Sequence, residues 1–264
     1  AARMAGIPWV YTKKNMNWSG KSKNGWLMRT KLAKHIICQN KSMLHLLSKT
    51  NKVSLIPRGV NILEFKKKNK NTSLLSNLGI KQSDKVITAI ANLVPVKGVE
   101  LLLEAFEKLY SKTQNIYLLI VGDNQTPYAK ELIQKTLKYS SRNKIKFTGK
   151  VLNVIDYYSI SDVVVLTSKK ESSPVTLLET MACCIPVLGS DIPGIREILA
   201  PFQNQLFSLD SKNQLVEKIY ETLFESSCSI NYLNQIRKHV INNYNIDLEV
   251  KRHQKLYEDI LKGN

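Results

Sequence analysis

The feature that most restricts the fold is a series of short apolar runs without alternation. Val86–Ala91, Ile116–Val121 and Val163–Thr167 are nearly continuous in Val, Ile and Leu. A strand with one wet face alternates apolar and polar residues. A continuous run needs cover on both faces, the condition of parallel strands sandwiched between helices. Further strand candidates fall at Trp9–Thr12, His35–Cys38, Val53–Ile56, Ile145–Thr148, Pro186–Gly189 and, briefly, Gln205–Phe207. Helical patterns separate them, such as Val99–Tyr110, with Leu102, Leu103, Phe106 and Leu109 on one side. This alternation predicts an open, doubly wound α/β architecture. From about Ser211 the pattern is helical only, and it closes in an amphipathic segment near Ile246–Leu261.

A chain of 264 residues, 43% of them hydrophobic, can build two lobes with separate cores. The polar stretch Lys66–Ser73 follows a turn-like Pro57–Gly59 and marks a boundary. The expected organisation is a partial first lobe over 1–60, a second lobe over 61–243 and a returning helix over 244–264. A doubly wound lobe has about six strands, and residues 1–57 offer three. About half of the first lobe is therefore expected to be missing, and the opening Ala1-Ala2-Arg3, without an initiator Met, suits an excerpt.

The formal charge of +18 is uneven: residues 1–70 hold sixteen Lys/Arg and one acid, Glu64. Such asymmetry suggests an anionic partner for the first segment, and equally a solvated Lys/Asn-rich surface. A membrane-facing version places Lys13, Lys14, Lys21, Lys23, Lys31 and Lys34 on one exposed face, with Trp18 or Trp26 free to enter the interface. Nucleic acid is not expected as a partner, because no recognition motif accompanies the charge. Cys38, Cys183, Cys184 and Cys228 lack metal-ligand spacing and read as reduced thiols of a cytosolic protein. No apolar run approaches the ~20 residues of a membrane span, and no secretory signal is visible.

The segment Ser168–Ile198 carries the most chemistry. It leaves the carboxyl end of a parallel strand, where ligands bind in open α/β sheets. Ser173-Pro174 predicts a helix start, with Ser173 as N-cap and Pro174 as first helical residue. The free N–H groups of Val175 and Thr176 would then offer a phosphate site. Glu171 precedes this helix and Glu179 lies inside it; flanking carboxylates can accept hydrogen bonds from diols but not from a phosphate. On spacing alone, two surface acids on an amphipathic helix explain the pair as well.

Five stretches in order, over about 150 residues, resemble retaining GT-B glycosyltransferases of family 4. Glu171, Glu179 and the run to Ile198 resemble that family's E-x7-E signature. Ala91–Phe106 is similar to its P-x-K-G segment, Tyr117–Asn124 to its V-G-D-G strand, Lys144–Ser168 to its F-x-G-x-V and Y-Y-x-x-A-D run, and Lys52–Phe65 to the N-G-V-D segment between its lobes. Ala1–Thr12 is a weaker match. The resemblance implies two Rossmann-like lobes, the first incomplete here, with the closing helix crossing back. It implies transfer of a hexose-type sugar from a nucleoside diphosphate, UDP-linked rather than GDP-linked, to a glycan or lipid-linked acceptor, with no cofactor or metal.

The same resemblance implies roles by position. Glu171 would hold hydroxyls of the donor hexose and Glu179 those of the ribose. Lys97 would pair with the diphosphate; taken alone it is a surface lysine. Backbone groups of Gly149, Lys150 and Val151 would meet the base, with Gly122 allowing close approach or simply ending a strand. Ser173, Val175 and Thr176 would line the phosphate site, and Arg58 and Gly59 would lie between the lobes. Departures are Asn92 where the family has Arg, Ser172-Ser173 where it has Gly and an aromatic, and Lys13-Lys14-Asn15 where relatives carry a His. A non-catalytic nucleotide-sugar-binding fragment is the alternative function, and a basic nucleic-acid-binding domain the third.

Overall fold

The computed structural model describes residues 6–14, 23–47, 51–225 and 229–263. Cys228, Lys21 and Trp18 lie outside the described residues, as do the side chains of Lys23 and Trp26.

The first sheet is built from β1 (Val10–Lys13), α1 (Lys23–Leu32), β2 (His35–Cys38), α2 (Lys41–Leu46) and β3 (Val53–Leu55). Its strands run parallel in the order β1-β2-β3. Ile36, Cys38, Met43 and Leu47 fill a small core under them. The chain then forms α3 (Thr72–Asn77), β4 (Lys85–Ile90), α4 (Val99–Tyr110), β5 (Ile116–Val121), α5 (Pro127–Thr136), β6 (Ile145–Gly149), α6 (Val154–Ile160) and β7 (Val163–Leu166). After these come α7 (Val175–Ala182), β8 (Val187–Ser190), α8 (Pro193–Ile198), β9 (Leu206–Phe207), α9 (Lys212–Phe224), α10 (Ile230–Tyr244) and α11 (Ile246–Leu261).

The second sheet is parallel throughout, in the order β6-β5-β4-β7-β8-β9. It is covered on both faces, as the unalternating runs require. Ile87 and Ala89, Leu118 and Ile120, and Val163 and Val165 pack with α4, α5 and α9. The intervening Val164, Leu166 and Val187 pack with α7, α8 and α10, and Val86, Leu119 and Val121 lie in the cluster with Leu75 of α3 and Ile160 of α6. The sheet grows from β4 outward to β6, then restarts on β4's other side with β7. The strand order thus reverses between β4 and β7, and the crevice this leaves opens at their carboxyl ends.

Strand ends shift by about a residue from the sequence pattern. One shift matters. β1 extends to Lys13, which is 3% exposed, so this lysine is packed rather than presented. The final helix begins and ends where its pattern does. Its first turn is bonded to Val60, whose N–H donates to Tyr244 O (2.8 Å) and whose carbonyl accepts from Ile246 N (3.0 Å).

Candidate functional site

The crevice between β4 and β7 holds a cavity of about 190 Å³, walled by Ala91, Lys97, Thr167, Glu171, Pro174 and Thr176, among others. Lys97 ends a single turn of 3-10 helix, Pro95–Lys97. Gly98 follows at φ 60°, and a Cβ there would lie 2.3 Å from the Thr167 carbonyl oxygen. Only glycine lets this turn press against the end of β7. The Lys97 carbonyl accepts from Thr167 Oγ1 (3.0 Å), and Lys169 N donates to Val96 O (2.8 Å). The loops after β4 and β7 are therefore one bonded unit.

Within that unit Lys97 Nζ lies 2.6 Å from Glu171 Oε1, and Ser168 Oγ donates to the same oxygen at 2.8 Å. Both side chains are partly buried, 26% and 12% exposed, so the pair sits in the cavity wall rather than on open surface.

The helix start differs from the sequence expectation. α7 begins at Val175 with Pro174 as N-cap, not with Ser173 as cap and Pro174 inside. Ser173 Oγ is buried and has no hydrogen-bond partner. The serine is drawn inward as part of the cavity lining, so its hydroxyl cannot turn back to cap the helix. A buried hydroxyl without a partner is unfavourable. The N–H groups of Val175 and Thr176 precede the first helical bond, from Leu177 N to Pro174 O (3.1 Å), and stand at the positive end of the helix dipole.

Glu179 is one turn deeper and is not in the cavity wall. Its Oε2 accepts from the Tyr158 hydroxyl at 2.7 Å. Burial pushes its carboxyl above the usual carboxylate range; the Tyr158 bond opposes this and the Glu64 charge adds to it. The buried Tyr158 hydroxyl is in turn raised well above its ordinary value, by burial and then by Glu179.

A second group of expected residues gathers at the ends of β5 and β6, where Gly122 N donates to Gly149 O (3.2 Å). A Cβ on Gly122 would lie 2.0 Å from the Ala91 carbonyl oxygen, so its smallness serves the approach of β5 to β4. Gly149 has φ 76°, Lys150 is exposed, and Val151 packs toward Leu119 and Ile160. Asn92 lies in the turn leaving β4, outside the cavity wall. Arg58 and Gly59 lie at the crossing with α11. Gly59 N donates to Glu249 Oε2 at 2.6 Å, and Arg58 Nε is 3.8 Å from Glu249 Oε1.

Tyr158, Ser168 and Glu249 were not singled out from the sequence. Ser168 could have been, since it lies in the loop between β7 and Glu171; the other two contact partners through tertiary packing alone.

Among the described residues the expected lysines do not share one face. Lys13 and Lys14 are at the carboxyl end of β1, whereas Lys31 and Lys34 flank the amino end of β2. Burial lowers the Lys13 ammonium below its usual value, with Cys38 acting in the opposite sense. A larger cavity, about 300 Å³, opens at the amino ends of β7 and β8, lined by Lys66, Lys67, Lys70 and Cys184 among others. The helices α6 and α7 end beside it, and Lys70 Nζ lies 2.8 Å from Asp162 Oδ1. Among the described residues no helix is long and apolar enough to cross a membrane, and no three His, Cys, Asp or Glu side chains converge as metal ligands.

The family described as glycosyl transferases group 1 matches residues 71–242. The chain is 28% identical over 194 residues to an N-acetyl-alpha-D-glucosaminyl L-malate synthase of Bacillus anthracis, covering 73% of this chain and 50% of that one. It is 26% identical over 244 residues to an N,N'-diacetylbacillosaminyl-diphospho-undecaprenol alpha-1,3-N-acetylgalactosaminyltransferase of Campylobacter jejuni, covering 88% and 62%. The chain thus spans roughly half to three-fifths of these curated relatives. Among solved structures, Anabaena Alr3699/HepE in complex with UDP and glucose superposes with a TM-score of 0.85 at 19% identity, over 97% of this chain and 73% of that one. The shared architecture is GT-B.

Proposed function

The chain belongs to the glycosyl transferases group 1 family, and on that footing we propose that the whole protein is a retaining glycosyltransferase. It moves a hexose-type sugar from UDP to a glycan or lipid-linked acceptor. One observation carries this reading: a cation, a carboxylate and a free helix start converge on one cavity at the strand-order reversal.

In this reading the diphosphate takes the Val175 and Thr176 N–H groups and Lys97, which leaves Glu171 as the diphosphate enters. These groups stabilise the charge that grows on the departing nucleotide, a transition-state term of several kcal/mol. Glu171, released from Lys97, accepts from hydroxyls of the hexose. Glu179 accepts from the ribose, and the ends of β5 and β6 meet the base. Retention of configuration rests on the family resemblance. UDP as the nucleotide is favoured by the bound ligand of the Anabaena structure, and a lipid-linked acceptor by the name of the Campylobacter relative. A lipid-linked acceptor would bring the protein to the cytoplasmic face of a membrane.

Calorimetry with UDP, UDP-glucose and UDP-N-acetylglucosamine in excess chelator tests the donor site. Binding without a divalent ion is expected, and binding that requires one overturns the assignment. Donor binding without turnover on any acceptor would return the non-catalytic alternative.

A further inference from the structure

The loop bearing Glu171 is held by both sheets. From its own side, Ser190 Oγ donates to Ser168 O (2.6 Å) and Ser168 Oγ to Glu171 Oε1 (2.8 Å). Gly194 lies directly beneath, since a Cβ there would be 2.3 Å from Glu171 O and 2.8 Å from Ser172 O. From the other side come two residues at the carboxyl end of β2. Asn40 Nδ2 donates to the Ser172 carbonyl at 2.7 Å, and the Ser172 hydroxyl donates to Gln39 Oε1 at 3.2 Å. Gln39 and Asn40 are 5% and 2% exposed. A further bond joins the same surfaces, from Lys41 N to Glu197 Oε2 (2.7 Å).

Asn40 works in two directions. Its Oδ1 caps α2 by accepting from Met43 N at 2.7 Å. Ser, Asp and Asn cap helices about equally well, so capping alone does not call for Asn. Only the amide also carries an N–H that can reach across to Ser172. The residue held is the immediate neighbour of Glu171, so fixing the Ser172 peptide fixes the backbone from which the Glu171 side chain leaves.

We propose that Gln39 and Asn40 are positioning residues for the donor sugar. They set Glu171 through Ser172 when the two sheets close on each other, and release it when they part. The inference rests on the donor reading above, which gives Glu171 the hexose. It links sugar capture to closure of the acceptor-side sheet: the nucleotide can bind in either state, the hexose fully only in the closed one.

The test uses the full-length protein with Asn40→Asp, which keeps the cap but sets an acceptor against the Ser172 carbonyl. Asn40→Ser, which keeps the cap and lacks the reach, is the uncharged second variant. Affinities for UDP, UDP-glucose, UDP-galactose and UDP-N-acetylglucosamine are measured by calorimetry. Affinity for UDP should stay within about twofold, while the preference for the best UDP-hexose over UDP falls about tenfold, the scale of one lost hydrogen bond. In the unliganded protein, amide exchange over residues 170–173 should quicken about tenfold while α2 stays protected. Unchanged preference and exchange overturn the latch, and so does a parallel loss for UDP and UDP-hexose with α2 exposed, which marks a purely structural role. Wild-type protein that binds none of the four overturns the donor reading itself.

Discussion

Lys97 Nζ and Glu171 Oε1 lie 2.6 Å apart in the wall of the cavity, with Ser168 sharing the carboxylate. The two groups assigned to the donor thus satisfy each other. Each is only partly buried, so neither pays the full penalty of an isolated interior charge. A diphosphate competes directly for the lysine, and in taking it frees the carboxylate for hydroxyls.

Loss of Lys97 should therefore act on the chemical step. Lys97→Ala in the full-length protein is expected to cut turnover at least about 100-fold, as removal of a transition-state charge partner does. Lys108→Ala, which removes an exposed lysine bonded to Asn213, should change turnover by less than about twofold, the scale of an ordinary surface site. Steady-state transfer rates check the pair; equal effects would make Lys97 a surface charge.

Glu179 should trade stability for binding. Its folded carboxyl titrates above the ordinary range because burial disfavours the charge. A raised folded value means that stability is greatest when the group is protonated and is lost as pH rises through the folded pKa. Glu179→Gln leaves Tyr158 an acceptor and removes that penalty. The variant should melt higher than wild type at neutral pH, and the gap should close as pH falls to about 4.3, where an unfolded glutamate titrates. The same variant should bind UDP more weakly, by about 1.5–3 kcal/mol for a lost charge-assisted bond. Melting curves from pH 4 to 8 and calorimetry at pH 7 give both readings; a melting gap that widens toward low pH would contradict the assigned burial.

Gly194 sets two effects against each other. Alanine at this helical position would gain up to about 1 kcal/mol in propensity. Its Cβ, however, would meet the Glu171 and Ser172 backbone at 2.3 and 2.8 Å, and backbone cannot swing aside like a side-chain tip. Overpacking of this kind costs about 1–3 kcal/mol and should win. Gly194→Ala is expected to lower unfolding free energy and to weaken UDP-hexose binding more than UDP binding. A more stable variant with unchanged binding would show that the loop yields freely.

The central strands were legible because burial on both faces leaves a run such as Ile116–Val121 with no polar position, and that needs no knowledge of neighbours. The carboxyl-edge placement of Glu171 followed from the same logic, whereas Lys97 was marked only by the family resemblance. What the sequence hid was tertiary. Ser173 matches a local capping pattern, but its hydroxyl is buried without a partner and Pro174 becomes the cap. Lys13 is one of two adjacent lysines, and its burial at the end of β1, paired with Cys38 of β2, is a tertiary outcome. The bond from Asn40 to Ser172 spans 132 positions, and no local period marks either end.

The crossing of Gly59 with Ile246 is the last place where the structure makes a sharp demand. The chain passes between the sheets at residues 58–60 and returns at 244–246, and the passages are joined by two backbone bonds through Val60. A Cβ on Gly59 would lie 2.6 Å from Ile246 Cα and 2.8 Å from its nitrogen. Both obstacles are backbone, so Gly59→Ala must push α11 away from the crossing, at about 1–3 kcal/mol. Glu249 secures the crossing from the helix side by accepting from Gly59 N. Glu249→Ala should lose about 1.5–3 kcal/mol with that charge-assisted bond, and Glu249→Gln, which keeps an acceptor, about half as much or less. Urea denaturation of the three variants checks the order. If Gly59→Ala unfolds at the wild-type midpoint, the crossing is loose enough to absorb a methyl group, and the closeness of these passages is not what fixes how the sheets meet.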